Sequence, residues 1–200
     1  MNPVWTRRAL TAFLLAVLVI CGMLFYRLWM ERVPSDIVSG EALVGGPFQL
    51  TDQDGNTVTD QTYKGKLKLI YFGFTFCPDA CPTALGVMSA ALDKLDVAGE
   101  RVVPMLITVD PERDTPQVLK DYVSNFHPRM VGLTGTPEQI AQVAKAYRVY
   151  YQKVPGSAPD EYLMDHMLLI YLMDGDGKYI ANFGPQATPD EIASKIREHL

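Results

Sequence analysis

Cysteine and histidine are scarce in this chain, three of each in 200 residues, and tryptophan occurs only twice. Three cysteines are too few for the disulfide framework of a small secreted scaffold. Basic residues are outnumbered as well: 18 Lys and Arg stand against 23 Asp and Glu, a formal charge of −5. Nucleic-acid binding calls for a basic face able to displace counterions from phosphates, and the sequence shows none, so no nucleic-acid partner is expected. Internal repeats and low-complexity tracts are missing, and 14 Pro with 15 Gly exclude a collagen-like or disordered chain. What remains is one ordinary domain with room for a single core, 48% hydrophobic, plus one segment of different character.

That segment runs from Ala9 to Tyr26 and carries no ionisable side chain except Cys21 and Tyr26. Extended through Leu28, Trp29 and Met30 with Arg27 snorkelling, a helix rising about 1.5 Å per residue crosses a hydrocarbon core of about 30 Å. Trp5, Tyr26 and Trp29 fall where an aromatic belt would lie. The apolar run is longer than a signal-peptide core and no A-x-A-like site closes it, so an uncleaved anchor is expected. Ile20 stands where a lipoprotein would need a small residue before Cys21. Arg7 and Arg8 face Arg27 and Arg32 across the span, and the N-terminal charge tips the balance toward an inside N-terminus. The expected organisation is therefore 1–8 cytoplasmic, 9–30 a transmembrane anchor, 31–40 a linker and 41–200 the folded domain. Eight residues before the anchor leave no room for a mitochondrial transit peptide, so a single pass of a bacterial inner membrane with a periplasmic domain is expected.

Within the domain, Asp52-Gln-Asp-Gly55 between two short polar-alternating runs predicts a hairpin. This stretch and Asp174-Gly-Asp-Gly177 resemble calcium loops only superficially, because neither continues into the spaced ligands of an EF-hand. Strands are predicted over 67–72, 102–109, 167–173 and 178–183, and helices over 80–95, 115–126, 137–147 and from the Thr188 cap to His199. A hairpin, then βαβα, then ββα describes an α/β sandwich around a mixed sheet.

The densest chemistry is Phe74-Thr-Phe-Cys77-Pro-Asp-Ala-Cys81-Pro82, where a strand gives way to a helix. Unpaired N–H groups at a helix N-terminus favour a thiolate, so a cysteine there tends toward a lowered pKa. A spacing of four puts both sulfurs on one side of the first turn, able to form a bridge or share a metal. Pro82 is tolerable only if the helix has just begun. Among the histidines, His127 and His199 read as solvated, whereas His166 opens the strand 167–173, which the pattern pairs into the sheet beside the cysteine strand. Asp114-Thr-Pro116 reads as a helix cap followed by proline, and Asp110 lies at the carboxyl end of a central strand, with Arg113 in reach to pair with it.

Taken together, FTFCPDACP at 74–82, TVDPERDTP at 108–116, AYRVYY at 146–151 and DEYLMDHMLLIYLMDGDGKYIANFG at 160–184 resemble the Sco/SenC family. The resemblance covers almost all of residues 40–200 with the family's order and spacing. It implies a thioredoxin-like fold, a membrane anchor, and copper binding in assembly of the CuA centre of cytochrome c oxidase. By position it makes Cys77, Cys81 and His166 the metal ligands and puts Asp110 near them. Met167 replaces a small hydroxyl residue common in the family after the histidine; Met167 and Met164 are read as core, not ligands.

The donor chemistry agrees. Two thiolates and one imidazole suit Cu(I), and with an added weak ligand Cu(II), whereas structural zinc usually takes four protein ligands. The expected partners are the CuA-bearing oxidase subunit, other periplasmic copper chaperones or thioredoxin-like reductases, and the membrane through the N-terminal helix. The expected role is that of a copper chaperone and not an enzyme. The alternative is a thiol-disulfide reductase, with Cys77 and Cys81 as its redox pair, that keeps the oxidase's CuA cysteines reduced. Three residues between the cysteines, against two in thioredoxin-type enzymes, favour the metal.

Overall fold

The computed structural model describes residues 18, 20–23, 44–156 and 162–200 of a chain that divides into two units, Met1–Ala42 and Leu43–Leu200. In the first unit, residues 18 and 20–23 are helical, with Leu18, Ile20, Cys21 and Met23 exposed. The rest of the expected anchor, the eight residues before it and the linker 31–40 lie outside the described residues. Among the described residues no helix is long and apolar enough to cross a membrane.

The second unit is built on a seven-stranded sheet with the order β2-β1-β5-β4-β3-β8-β9. Its strands are β1 (Gln49–Asp52), β2 (Thr57–Thr59), β3 (Leu67–Gly73), β4 (Val102–Thr108), β5 (Val131–Thr134), β8 (Ile170–Met173) and β9 (Tyr179–Phe183). β3, β4 and β5 are mutually parallel, and every residue of all three is buried, as strands covered on both faces require. The other pairings are antiparallel. The helices are α1 (Ala80–Asp93), α2 (Pro116–Val123), α3 (Pro137–Ala146) and α4 (Pro189–Arg197), with a 3₁₀ helix at Asp96–Arg101. Both parallel crossovers step the same way across the sheet, so right-handedness lands α1 and α2 on one face. Alternation along β3 turns Tyr71 toward that face, while Phe72 points to the other, against Tyr147 and Tyr171.

Local signals set most of these boundaries. Thr115, Thr136 and Thr188 cap α2, α3 and α4 through side-chain acceptors, each followed by proline in the first turn. Both glycine-bearing turns form as expected: Asp52 and Asp174 accept backbone N–H groups of their own loops, and Gly55 and Gly177 take positive φ. Three features depart from the sequence pattern. β5 is a strand that a four-residue run did not announce. The region 167–173 is not one strand: β7 (Tyr162–His166) ends at His166, and β8 begins only at Ile170. β7 pairs with β6 (Tyr151–Pro155) in a separate two-stranded ribbon, so His166 sits at a ribbon's end and not in the sheet.

Candidate metal centre

The carboxyl end of β3 delivers the chain to the site through Gly73, Phe74 and Thr75, and α1 starts at Ala80, two residues before Pro82. Proline there sits where N–H groups still lack intrahelical partners, as the sequence required. The Cys77 sulfur accepts the Cys81 N–H at 3.4 Å, closing the first turn between the cysteines. Cys81 is fully buried and Cys77 half-buried, and both are free thiols.

His166 arrives from the other direction, opposite Tyr151 at the end of the ribbon. Its Nδ1 faces the Met167 carbonyl at 3.2 Å, and a carbonyl only accepts, so that bond assigns the proton to Nδ1. Nε2 then carries the lone pair, and it accepts the Cys81 S–H at 3.6 Å. Edge-on contacts with Tyr71 and Phe74, ring centroids 5.9 and 5.7 Å away, fix the plane of the imidazole. One ligand atom from each of Cys77, Cys81 and His166 falls within 4.8 Å of the others, the set that the sequence singled out.

Burial dominates the electrostatics. It holds the His166 pKa below its ordinary value, so the ring is neutral and ready to ligate. It pushes the Cys81 thiol up, opposite to the lowering expected at a helix N-terminus; desolvation of the thiolate outweighs the helix field at this depth. Metal binding must therefore displace a proton held by the apolar surroundings.

The two aspartates hold the frame. Asp110 is buried, accepts from the Tyr162 hydroxyl at 2.8 Å and pairs with Arg113, whose guanidinium lies 3.7 Å over the Tyr162 ring. Tyr162 opens the strand that His166 closes, so Asp110 ties the β4–α2 loop to the histidine's ribbon. Asp114 does more than the cap read from the sequence, since Thr115 is the cap. Its buried carboxylate accepts the Thr75 N–H at 3.1 Å, the Thr75 hydroxyl at 2.6 Å and the Thr108 hydroxyl at 2.5 Å, fastening the loop that carries Cys77. His127, expected in solvent, is buried and accepts the Arg129 N–H at 3.1 Å; His199 is exposed as expected. The Met167 sulfur accepts from Tyr171 at 3.3 Å and Met164 packs on the core, consistent with their reading as packing residues.

Gly73 escaped the sequence reading. A Cβ there would lie 2.8 Å from the Cys81 sulfur and 2.9 Å from a Tyr71 ring carbon, so only glycine allows both this close. A glycine ending a run of large apolar residues beside a cysteine motif was the available signal.

A mixed sheet with a dithiol at a strand-to-helix turn defines a thioredoxin-like protein, and a buried imidazole against the thiols sets it apart as one with a metal-type donor set. The SCO1/SenC family model matches residues 38–200, and the chain belongs to that family. Protein sco1 of Schizosaccharomyces pombe is 42% identical over 198 residues, 94% of this chain and 75% of that one. Of the human mitochondrial SCO1 homologue, 44% identical over 163 residues, the chain spans 54% of the length. The structure of Bradyrhizobium japonicum ScoI with copper bound superposes with a TM-score of 0.74 at 49% identity, covering 78% of this chain and 99% of that one. BsSco, in which a disulfide switch is identified and which is described as a member of the Sco family of cytochrome c oxidase assembly proteins, is 28% identical with a TM-score of 0.60, over 77% and 91%.

Proposed function

We propose that this chain is a membrane-anchored copper carrier that assists assembly of the CuA centre of cytochrome c oxidase, with Cys77, Cys81 and His166 as its ligands. The observation that carries the reading is the buried thiol–thiol–imidazole cluster, with its ligand atoms within 4.8 Å. Two thiolates and a neutral Nε2 match Cu(I), and the copper-bound ScoI relative supports that metal over others. Copper is the cargo: it enters as the thiol protons leave for solvent, and a partner that offers better-placed thiolates draws it out again. Asp110 acts on the site from one step away, by fixing the ribbon that presents His166.

The span 9–30 is the anchor in this reading, with 1–8 cytoplasmic, 31–40 a linker and 41–200 facing the periplasm. The CuA-bearing subunit is the proposed acceptor, with periplasmic copper chaperones or thioredoxin-like reductases as further partners. A second reading, thiol reduction of the acceptor's cysteines, is favoured by the two free thiols in one helical turn and by the disulfide switch of BsSco.

One experiment separates the readings. The reduced chain is expected to bind about one copper, because there is one soft-ligand cluster among the described residues, and Cys77→Ser or Cys81→Ser abolishes binding. His166→Ala weakens copper binding strongly yet leaves the two thiols able to form and exchange a disulfide. Normal oxidase assembly by His166→Ala at limiting copper, with the cysteine variants inactive, would replace the carrier by the reductase.

A further inference from the structure

Tyr71 is fully buried in β3, and its hydroxyl has no hydrogen-bond partner among the described residues. A buried hydroxyl in that state costs free energy and calls for an explanation. The ring lies against both ligand elements. It meets His166 edge-on with centroids 5.9 Å apart, and it shares with the Cys81 sulfur the space that a side chain at position 73 would fill.

Cys81 is a free cysteine in the metal-free chain, and a thiol sulfur is a weak acceptor. Loading the site sends that proton to solvent and leaves a buried thiolate, a strong acceptor, beside a donor with nothing to donate to. We propose that Tyr71 is a positioning residue of the metal centre, its hydroxyl donating a hydrogen bond to the Cys81 thiolate in the metal-loaded state. The bond neutralises part of the charge that two thiolates bring into a buried site, and it draws electron density from the sulfur. It explains why a phenol stands where phenylalanine would pack equally well: the hydroxyl costs stability without metal and repays it only when metal is bound. This inference rests on the copper-binding reading above.

The test is Tyr71→Phe in the full chain, which keeps the ring against His166 and removes only the oxygen. Without metal the variant is expected to melt at the same temperature as the parent or higher. Its Cu(I) affinity, read by competition with a chromogenic chelator, is expected to fall about tenfold, the loss of one hydrogen bond to a charged acceptor. With Cu(II) as the probe, the sulfur-to-copper charge-transfer band is expected to move to lower energy, because the thiolate has lost the donor that lowered its electron energy. A lower melting temperature without metal would show that the hydroxyl already has a partner and would overturn the inference. So would unchanged Cu(I) affinity with an unshifted band in a parent that binds copper, and that result would leave the copper reading standing. A parent chain that binds no copper overturns both.

Discussion

Replacing Gly73 by alanine adds one methyl group where the site is tightest. The backbone tolerates the change, since residue 73 ends an extended strand. The side chain does not fit: its Cβ would stand 2.8 Å from the Cys81 sulfur and 2.9 Å from Tyr71 Cε1. Non-bonded heavy atoms settle at about 3.5–4.0 Å, so the shortfall approaches about 1 Å at both atoms. Neither neighbour can swing into solvent, because Tyr71 and Cys81 are both fully buried. Overpacking of this kind costs about 1–3 kcal/mol. For a chain of this size each kcal/mol lowers the melting temperature by about 2–4 °C, so a fall of roughly 4–8 °C corresponds to the middle of that range. Copper binding is expected to weaken in step, since the Cys81 sulfur is one of the atoms that must give way. The assay is thermal melting of the metal-free chain together with Cu(I) competition, run on Gly73→Ala, Cys81→Ala and the double variant. In the Cys81→Ala background the sulfur contact is gone, and Gly73→Ala is expected to cost less than it does in the parent. A melting temperature within a degree of the parent's, with unchanged copper affinity, would refute the reasoning.

Asp114→Ala strips two hydrogen bonds from the loop before Cys77 and one from Thr108 at the end of β4, and leaves the Thr75 N–H without its acceptor. It is expected to destabilise the chain by about 3 kcal/mol and to speed alkylation of Cys77, with chemical denaturation and thiol labelling as the measurements. Burial holds the His127 pKa below its ordinary value, with Arg129 adding to the effect, so the unfolded chain takes up a proton that the folded chain refuses. Stability is therefore expected to fall as pH drops below about 6.5, and His127→Asn, which keeps an acceptor for the Arg129 N–H, is expected to flatten that slope in melts run across the range.

Helix starts, turns and the cysteine motif were legible in the sequence because each is governed by residues a few positions apart. A threonine followed by proline specifies a cap wherever it occurs, and Asp-x-x-Gly closes its own turn. The strand-to-helix setting of Cys77 and Cys81 follows from one apolar run, two prolines and a spacing of four. His166 was set apart from His127 by its place at the head of an apolar run, the resemblance to a family made it a ligand, and the structure brings it against Cys81. The way His166 gets there was not legible. Residues 167–169 are apolar and read as one run with β8, yet the chain uses them to pass from ribbon to sheet, a choice set by the pairing of Tyr151 with His166 across the ribbon. β5 was missed for a related reason: four residues carry too little periodicity, and Val131–Thr134 becomes a strand only because β4 and β1 offer it edges on both sides. The frame of the site is wholly tertiary. Asp114 reads as part of a cap until Thr75, 39 residues away, meets its carboxylate. Local chemistry thus fixed which side chains could hold a metal, while long-range packing decided how deeply they are buried. Burial, by holding Cys81 protonated and His166 neutral, sets the terms on which a metal can enter.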